Sequence, residues 1–405
     1  IGNVRVFDPA KLALGPLQSV VVEGGVVARI EPADASAPGE TVIDGAGGAL
    51  LPGLYDMHAH LSDNDALMNL LAGVTSVRDM GNQNDVLTAL IEKIESGALA
   101  GPRVARSGFI EGKSPYSSNS GVLVETEEQA LAAVRKYAAA GDFHQIKLYN
   151  SMNGAWAPAL VKEAHALGLR VAGHVPAFSN ADAMIEAGFD EITHLNQLML
   201  GWVLEPEEDT RTLLRLTAMK RFADLDLASP RVQKTVDAMV ARKVALDPTI
   251  AIHEWLMLSR NGVTRPGAVD YAANMPPNFQ RNAKVARIAI ADAAEDEAYR
   301  AAYAKAVAAV RMLHERGVFI VAGTDLGGAF ELHRELELYQ QLGMSPAEIL
   351  KRASYDMAEY LGEADTLGSI APGTVTAWIE LPISFMPCAR KVSYDAFAPE
   401  RPEPL

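Results

Sequence analysis

The chain has 405 residues, of which 49% are hydrophobic and 21% are charged, and its formal net charge is −15. This composition is typical of a globular enzyme with a large core, and the acidic balance excludes a nucleic-acid partner, which needs a dense basic patch. Cys388 is the only cysteine, so an intrachain disulfide and a thiolate metal cluster are both excluded.

Membrane and targeting signals are missing from the sequence. No apolar run reaches the roughly 18 residues that cross a bilayer, so we expect no membrane span, and no signal peptide is visible. The chain begins with Ile1 rather than Met, which suits removal of a leader. We therefore expect a soluble protein, and its location stays open between the cytoplasm, the periplasm and secretion.

The amino-terminal segment 1–48 predicts a small β-sheet domain. Short β-rich runs at 4–7, 19–22, 26–30 and 41–43 alternate with Gly and Pro turn signals. A β pattern returns near the other end of the chain, over residues 374–381. We therefore expect a discontinuous β-sandwich domain that combines residues 1–48 with residues 362–405.

Between these ends, residues 49–361 predict an α/β fold, the (β/α)8 TIM barrel. Strand-sized apolar runs alternate with helical patterns, which is the repeat of a parallel barrel. The eight predicted strands are 54–60, 74–79, 104–109, 145–149, 170–175, 191–195, 244–248 and 318–325. The main predicted helices are 127–140, 157–167, 179–187, 230–243, 297–315, 331–342 and 346–361.

Two connections are far longer than the usual loop of about two to six residues. Residues 196–229 follow the sixth predicted strand, and residues 249–296 follow the seventh. Because barrel active sites lie at the carboxyl ends of the strands, these insertions could cover the active site as lids or line the substrate pocket and set its specificity. Alternatively, they could serve only packing or oligomer contacts. Arg211, Arg215 and Arg260 lie within them, and each could bind a substrate carboxylate.

Two histidines stand near the end of the first predicted strand. His58 and His60 are two residues apart, and the two-residue period of a strand points both imidazoles into the barrel lumen. Two histidines on a strand can also be ordinary hydrogen-bonded side chains, so the pair alone does not establish a metal site.

A lysine on the fourth predicted strand is harder to explain as an ordinary core residue. Lys147 alternates with Ile146 and Leu148, so it faces the lumen, where an unpaired ammonium is costly. Reaction of its amine with CO2 would give N6-carboxylysine, an anionic ligand able to bridge two cations. The alternative is an inward lysine paired with a carboxylate.

Three more polar residues end barrel strands on the same side. His174 ends the fifth predicted strand, His194 the sixth and Asp325 the eighth. Either histidine alone could be a satisfied core residue. A carboxylate such as Asp325 can bind a cation and also accept a proton from water. Chance is therefore a poor explanation for six candidate ligands that face one cavity.

This set resembles the amidohydrolase superfamily of metal-dependent hydrolases. The resemblance is carried by segment 52–60 (PGLYDMHAH) together with Lys147, His174, His194 and Asp325. It covers nearly the whole chain, since the terminal β segments are similar to the split sandwich domain of that superfamily. It implies a site for two divalent metal ions, with Zn²⁺ the expected metal, bridged by carboxylated Lys147.

The same resemblance assigns the ligands to the two ions. His58, His60 and Asp325 would hold one ion, and His174 and His194 would hold the other. Mononuclear deaminases of the superfamily commonly carry a His-x-x-Glu motif after the fifth strand, whereas this chain has Ala177 at the position of the Glu. The departure favours the binuclear hydrolase branch.

Finer motifs resemble the prolidase-like dipeptidases and their imidazolonepropionase-like relatives. These motifs are 147–149 (KLY), 173–176 (GHVP), 332–336 (LHREL) and 343–347 (GMSPA). They imply hydrolysis of an amide C–N bond in a small peptide or N-acyl amino acid. Hydrolysis of a lactone, ester or cyclic amide is the alternative, and a catalytically silent scaffold is a third possibility. Residues 374–378 (TVTAW) depart from the usual Lys-x-Ala-Asp phrase, which leaves the last sandwich strand open.

Further roles are predicted around this centre. Asp325 would accept the proton of the attacking water and deliver it to the leaving amine, and Tyr149 would donate a hydrogen bond to the oxyanion. Tyr149 could equally be a core aromatic residue with a satisfied hydroxyl. His253 and His333 follow the last two strands, so they are candidate substrate-binding residues. We expect a small-molecule substrate and a homo-oligomer.

Overall fold

A computed structural model describes residues 1–33, 41–327 and 330–375 of the chain. The strands are β1 (Val4–Asp8), β2 (Ala13–Glu23), β3 (Val26–Pro32), β4 (Ala49–Leu50), β5 (Leu54–Ala59), β6 (Val74–Asp79), β7 (Arg103–Gly112), β8 (Val122–Val124), β9 (Phe143–Leu148), β10 (Arg170–Gly173), β11 (Glu191–Thr193) and β12 (Ala245–Asp247). The α-helices are α1 (Asp63–Leu71), α2 (Asn84–Glu95), α3 (Glu127–Ala140), α4 (Ala157–Ala166), α5 (Ala181–Ala187), α6 (Leu195–Val203), α7 (Leu214–Thr217), α8 (Pro230–Arg242), α9 (Ile250–Leu258), α10 (Pro277–Asn282), α11 (Ala293–Glu315), α12 (Phe330–Tyr339), α13 (Pro346–Arg352) and α14 (Tyr355–Leu361). Within the described ranges, no helix combines the length and the apolar character needed to cross a bilayer.

Seven parallel strands form most of a barrel. They pair in the order β12-β11-β10-β9-β7-β6-β5, and β8 pairs with β7 outside this path. Helices separate consecutive strands along the chain, as the predicted βα repeat requires. The barrel and its helices share one large hydrophobic cluster, so the α/β barrel prediction is confirmed.

Residues 318–325, predicted as the eighth strand, are not a regular strand, but they complete the barrel between β12 and β5. A single parallel bridge joins Leu246 to Ile320, and the amide of Val321 donates to the carbonyl of Leu246 over 2.8 Å. On the other side, the amide of Met57 donates to the carbonyl of Ala322, also over 2.8 Å. Residues 318–325 therefore connect β12 to β5 and bring their carboxyl end to the barrel mouth.

A second, smaller sheet precedes the barrel. Its strand order is β3-β2-β1-β4, with antiparallel pairs except between β1 and β4. Four buried valines, Val4, Val6, Val20 and Val27, form its core. An antiparallel bridge joins Val26 to Val375, so the end of the described chain lies against β3. The division into 1–48, 49–361 and 362–405 stays a prediction, and most of the β pattern expected at 374–381 lies outside the described residues.

Two further predicted elements are wrong in detail. Residues 41–43 are not a strand, because this exposed segment pairs only through the bridge between Gly2 and Asp44, and the fourth strand is Ala49–Leu50. The single helix expected over 346–361 is two helices, α13 and α14. They are separated because the carbonyl of Ala353 accepts a hydrogen bond from the amide of Tyr55 in the barrel, and the backbone of Ser354 is not helical.

Candidate metal centre at the barrel mouth

Three residues of the barrel mouth have backbone conformations that ordinary residues avoid. The φ angle is 72° at His194, 47° at Thr249 and 54° at Asp325. Such conformations cost about 1–3 kcal/mol each and cluster at functional sites, where surrounding contacts hold them. The three residues follow β11, β12 and the eighth barrel segment, so the strain marks the carboxyl end of the barrel as the candidate site.

The first two candidate ligands are each oriented by a hydrogen bond from Nδ1. In His58 this atom lies 2.7 Å from a carboxylate oxygen of Asp247, and in His60 it lies 2.6 Å from the carbonyl oxygen of Gly81. The carbonyl oxygen of Gly81 can only accept, so Nδ1 of His60 carries the proton and its Nε2 keeps a lone pair. Burial raises the pKa of Asp247, and the same assignment holds for His58 when Asp247 is ionised. This is the usual arrangement of metal-binding histidines.

The other two candidate histidines also use Nδ1 for a hydrogen bond within the protein. Nδ1 of His174 lies 2.5 Å from the side-chain oxygen of Asn150, and Nδ1 of His194 lies 2.7 Å from the hydroxyl of Thr249. Nε2 of His174 is buried and has no hydrogen-bond partner among the described residues. An unpaired buried nitrogen is costly, so this atom fits a ligand position that a cation would fill.

The Nε2 atoms converge on the carboxylate of Asp325. The distances to its oxygens are 3.1 Å from His60, 3.5 Å from His58 and 3.6 Å from His194. Ligand atoms of His58, His194 and Asp325 all lie within 4.8 Å of one another. The ring of His174 is 4.7 Å from that of His194, so the structure brings all four histidines to one cavity.

Lys147 lies at the base of the same cavity. Its side chain is buried, and its amine nitrogen lies 3.2 Å from Nε2 of His58. Burial lowers the pKa of the Lys147 amine to about 8, although the charges of Asp325 and Asp247 act to raise it. The neutral amine, which is the form that reacts with CO2, is therefore accessible near neutral pH.

Burial also sets the charge of three of the four histidines. It lowers the pKa of His58, His174 and His194 well below the usual value, with the Lys147 charge acting in the same direction. Neutral imidazole is the form that binds metal. At His60, burial acts to lower the pKa, but the hydrogen bond with Asp325 and its charge outweigh burial and raise the pKa. Burial acts to raise the pKa of Asp325, but the hydrogen bond with His60 and the nearby positive charges outweigh it and lower that pKa.

Two glycines allow the ligands to approach one another. Gly173 has a φ of 139°, and a Cβ there would lie 2.1 Å from the carbonyl oxygen of Leu148. A Cβ on Gly323 would lie 2.7 Å from Cβ of His58 and 2.8 Å from a carboxylate oxygen of Asp247. A side chain at either position would displace the strand segment that leads to His174 or to Asp325.

A buried ion pair fills the lumen below the site. Arg78 donates two hydrogen bonds to Glu191, at 2.7 and 2.9 Å, and lies 3.7 Å from Asp247. The hydroxyl of Tyr360 donates to Glu191 at 2.7 Å. These groups connect the packed barrel interior to the carboxylate that orients His58.

The candidate substrate residues differ in their surroundings. The Tyr149 ring packs 4.0 Å from the ring of His174, beside the predicted ligands. His253 is buried 6.1 Å from the ring of His194, and its Nε2 has no partner among the described residues. Nε2 of His333 instead lies 2.8 Å from the carbonyl oxygen of Ala72, so that nitrogen is already occupied.

The sequence reasoning missed the residues that orient the histidines. Asp247, Asn150 and Thr249 were not predicted to belong to the site. Asp247 could have been found, because it is a charged residue at the end of a buried apolar strand. The same signal, a charged residue within an apolar strand, identified Lys147. Asn150 and Thr249 are ordinary loop residues in the sequence and become recognisable only when their hydrogen bonds are known.

Comparisons with known proteins identify the family and the fold. The model of the Amidohydrolase family matches residues 49–379. An uncharacterized protein of Mycobacterium tuberculosis is 27% identical over 354 residues, which cover 80% of this chain and 77% of that protein. A Xaa-Pro dipeptidase crystallised with bound methionine has a TM-score of 0.65 at 21% identity, covering 92% of this chain and 91% of that chain. A bottromycin amidohydrolase has a TM-score of 0.62 at 23% identity, covering 90% and 78%.

An α/β barrel with polar residues that converge at its carboxyl mouth is the architecture of a barrel enzyme. The chain belongs to the amidohydrolase family, whose model matches most of its length. At their low sequence identity, the solved structures establish the shared fold alone. The chain is thus a hydrolase of this family, and the ligand role of each site residue stays a prediction.

Proposed function

We propose that this protein is a binuclear metal-dependent hydrolase that cleaves the amide C–N bond of a small peptidic or N-acyl amino acid substrate. The single observation that carries the proposal is the common orientation of four histidines. Each uses Nδ1 for a hydrogen bond within the protein, and this leaves Nε2 directed to one cavity. Ordinary core histidines have no reason to share this arrangement.

The donor set fits divalent cations of the zinc type. Imidazole nitrogen and carboxylate oxygen are ligands that Zn²⁺ accepts in catalytic sites. The buried, partnerless Nε2 of His174 supports a ligand at that position, and the close grouping of His58, His194 and Asp325 supports a cation between them. The buried amine of Lys147 beside His58 supports a carbamate bridge between two ions.

Divalent cations held by these side chains would acidify a water molecule and polarise the substrate carbonyl. Asp325 takes the proton of the attacking water as the new C–O bond forms, and it returns this proton to the leaving amine as the C–N bond breaks. Burial raises the pKa of the Tyr149 phenol, so the hydroxyl keeps its proton. It can therefore donate a hydrogen bond to the developing oxyanion.

A substrate panel tests the proposed reaction. The protein, loaded with zinc in bicarbonate buffer, is assayed against dipeptides, N-acyl amino acids, cyclic amides and lactones, with release of each product quantified. We expect the largest kcat/KM for a dipeptide or an N-acyl amino acid. Turnover of lactones or cyclic amides alone would assign the same site to the other chemistry, and no turnover of any compound would contradict the proposal.

A further inference from the structure

A fifth histidine at the barrel mouth has the same orientation as the four candidate ligands. His253 lies in α9, and its side chain is buried. Its Nδ1 lies 2.8 Å from the carbonyl oxygen of Thr249, so Nδ1 carries the proton of a neutral ring and Nε2 keeps a lone pair. Nε2 is buried and has no hydrogen-bond partner among the described residues. Because an unused buried acceptor is costly, this atom fits a position where a ligand supplies the missing donor.

Thr249 connects this histidine to the candidate metal centre. Its hydroxyl lies 2.7 Å from Nδ1 of His194, while its carbonyl oxygen accepts from His253. Thr249 follows β12 and has a φ of 47°, a conformation that residues other than glycine rarely adopt. One strained residue therefore orients two neighbouring imidazoles, whose ring centres are 6.1 Å apart.

His253 lies beside the candidate ligands rather than among them. The compact group of ligand atoms comprises those of His58, His194 and Asp325, and the ring of His253 lies one ring beyond that of His194. Nε2 of His194 is 3.6 Å from a carboxylate oxygen of Asp325. The lone pair of His253 is therefore next to the residues that would handle the reacting atoms of a substrate.

Two other histidines show what distinguishes His253. Nε2 of His333 lies 2.8 Å from the carbonyl oxygen of Ala72, so it is already used within the protein. Nε2 of His144 is buried and has no partner among the described residues, but His144 is the second residue of β9 and lies at the amino end of the barrel. His253 combines an unused lone pair with a position at the carboxyl mouth.

The ring of His253 is neutral because it is buried without a countercharge. Among the described residues, no carboxylate oxygen lies within 4.0 Å of its nitrogens. A buried imidazolium without such a partner is costly. A neutral ring with its proton on Nδ1 accepts at Nε2, so it repels the lone pairs of carboxylate and ester oxygens and attracts an N–H group. The complementary group of a ligand is therefore a hydrogen-bond donor.

We propose that Nε2 of His253 accepts a hydrogen bond from the N–H of the scissile amide. This inference rests on the proposed function and narrows it, because the substrate must then be a secondary amide. The amide nitrogen is bonded directly to the carbon that water attacks, so its N–H lies close to the groups around Asp325. When His253 holds this N–H, the nitrogen lone pair of the tetrahedral intermediate can face Asp325 and receive its proton as the C–N bond breaks.

This acceptor discriminates against analogues that lack the N–H. An ester or a lactone places an oxygen lone pair against Nε2, and a tertiary amide, including the bond before a proline, places carbon there. A site that pairs with a substrate N–H rejects such analogues because its buried acceptor is left unpaired. His253 is then the residue that separates amide hydrolysis from ester hydrolysis, which the metal ligands alone do not separate.

A binding experiment that needs no turnover tests this role. The probes are N-(methylphosphonyl)-L-leucine, whose tetrahedral phosphorus carries the N–H group, and its ester analogue, in which an oxygen atom replaces that N–H. Calorimetric titration of zinc-loaded protein gives both dissociation constants. We expect the N–H probe to bind the wild type about 10- to 100-fold more tightly, as a hydrogen bond to a buried acceptor implies. His253→Phe loses this preference, whereas His253→Gln, whose carboxamide oxygen can accept, retains part of it.

His165→Phe is the matched control. His165 is a partly exposed residue of α4, so its loss leaves the preference intact. Circular dichroism confirms that each variant is folded, and zinc content confirms that the metal centre is unchanged. Equal binding of the two probes by the wild type, binding of neither, or a preference that survives in His253→Phe overturns the proposal, the last because another group then accepts the N–H.

The outcome is separable from that of the proposed function. A protein that hydrolyses amides but binds the two probes equally retains the proposed function and loses the role of His253. A protein that prefers the N–H probe through His253 but hydrolyses no member of the substrate panel retains this hydrogen bond and loses the proposed reaction.

Discussion

The barrel lumen and the core of the small terminal sheet differ in what they bury. The lumen contains Arg78, Lys147, Glu191 and Asp247, each at most 1% exposed. Among the described residues, the buried core of the small sheet consists of four valines, with partly buried aliphatic side chains packed against it. Burying charge is costly unless every group is paired, whereas burying valine is favourable by itself. The comparison teaches that the lumen buries charged groups at a cost in stability that the small sheet does not carry.

The largest expected effect comes from removing the lysine of the lumen. Lys147→Ala takes away the proposed bridge between two cations, whose catalytic contribution is several kcal/mol, so we expect turnover to fall by roughly 1000-fold or more. Steady-state assays with the best substrate of the panel measure this. Lys162→Ala, at an exposed position of α4, is the control. Full activity of Lys147→Ala would rule out the carbamate bridge.

A smaller loss is expected when the residue removed contacts a candidate ligand but is not a ligand itself. Asp247→Ala removes the carboxylate that orients His58, and loss of such a partner typically weakens metal binding by about 10- to 100-fold. Competition with a chromophoric chelator measures the zinc affinity. Asp237→Ala, which removes an exposed aspartate of α8, should leave the affinity unchanged. An Asp247→Ala protein that binds zinc as tightly as the wild type would show that His58 needs no such support.

The smallest effect on activity is expected from a substitution in the small terminal sheet. Such a substitution should lower the stability of the protein and leave its activity unchanged. Val27→Ala removes two methyl groups from a fully buried position, which we expect to lower the free energy of unfolding by about 2 kcal/mol. Urea denaturation measures this loss, with Val42→Ala, at an exposed position, as the control. Because Val27 is remote from the ligands in the sequence and the fold, kcat/KM should not change. A parallel loss of activity would show that the sheet also shapes the site.

Much of the barrel could be predicted from sequence because its signals are local. Period-two alternation around Lys147 identified an inward-facing amine, and the structure places that amine beside His58. The break between α13 and α14 could not be predicted, because it depends on a hydrogen bond from Tyr55, about 300 residues away in the chain. The run at 41–43 resembled a strand because β propensity does not reveal whether a neighbouring strand is available.

The sequence could predict which side chains meet at the barrel mouth, but not which groups form hydrogen bonds with them. A histidine or a buried charge at a strand end is visible in the sequence, but the hydrogen bond that fixes its tautomer is a property of the fold. The positive φ angles at His194, Thr249 and Asp325 were also invisible, since none of these residues is glycine.

Metal content tests the central claim most directly. After removal of metal with a chelator and reconstitution with zinc and bicarbonate, the protein is freed of unbound ions and analysed by plasma mass spectrometry. The account predicts about two zinc ions per wild-type chain and a lower content in Lys147→Ala. Fewer than about one ion per wild-type chain would contradict it.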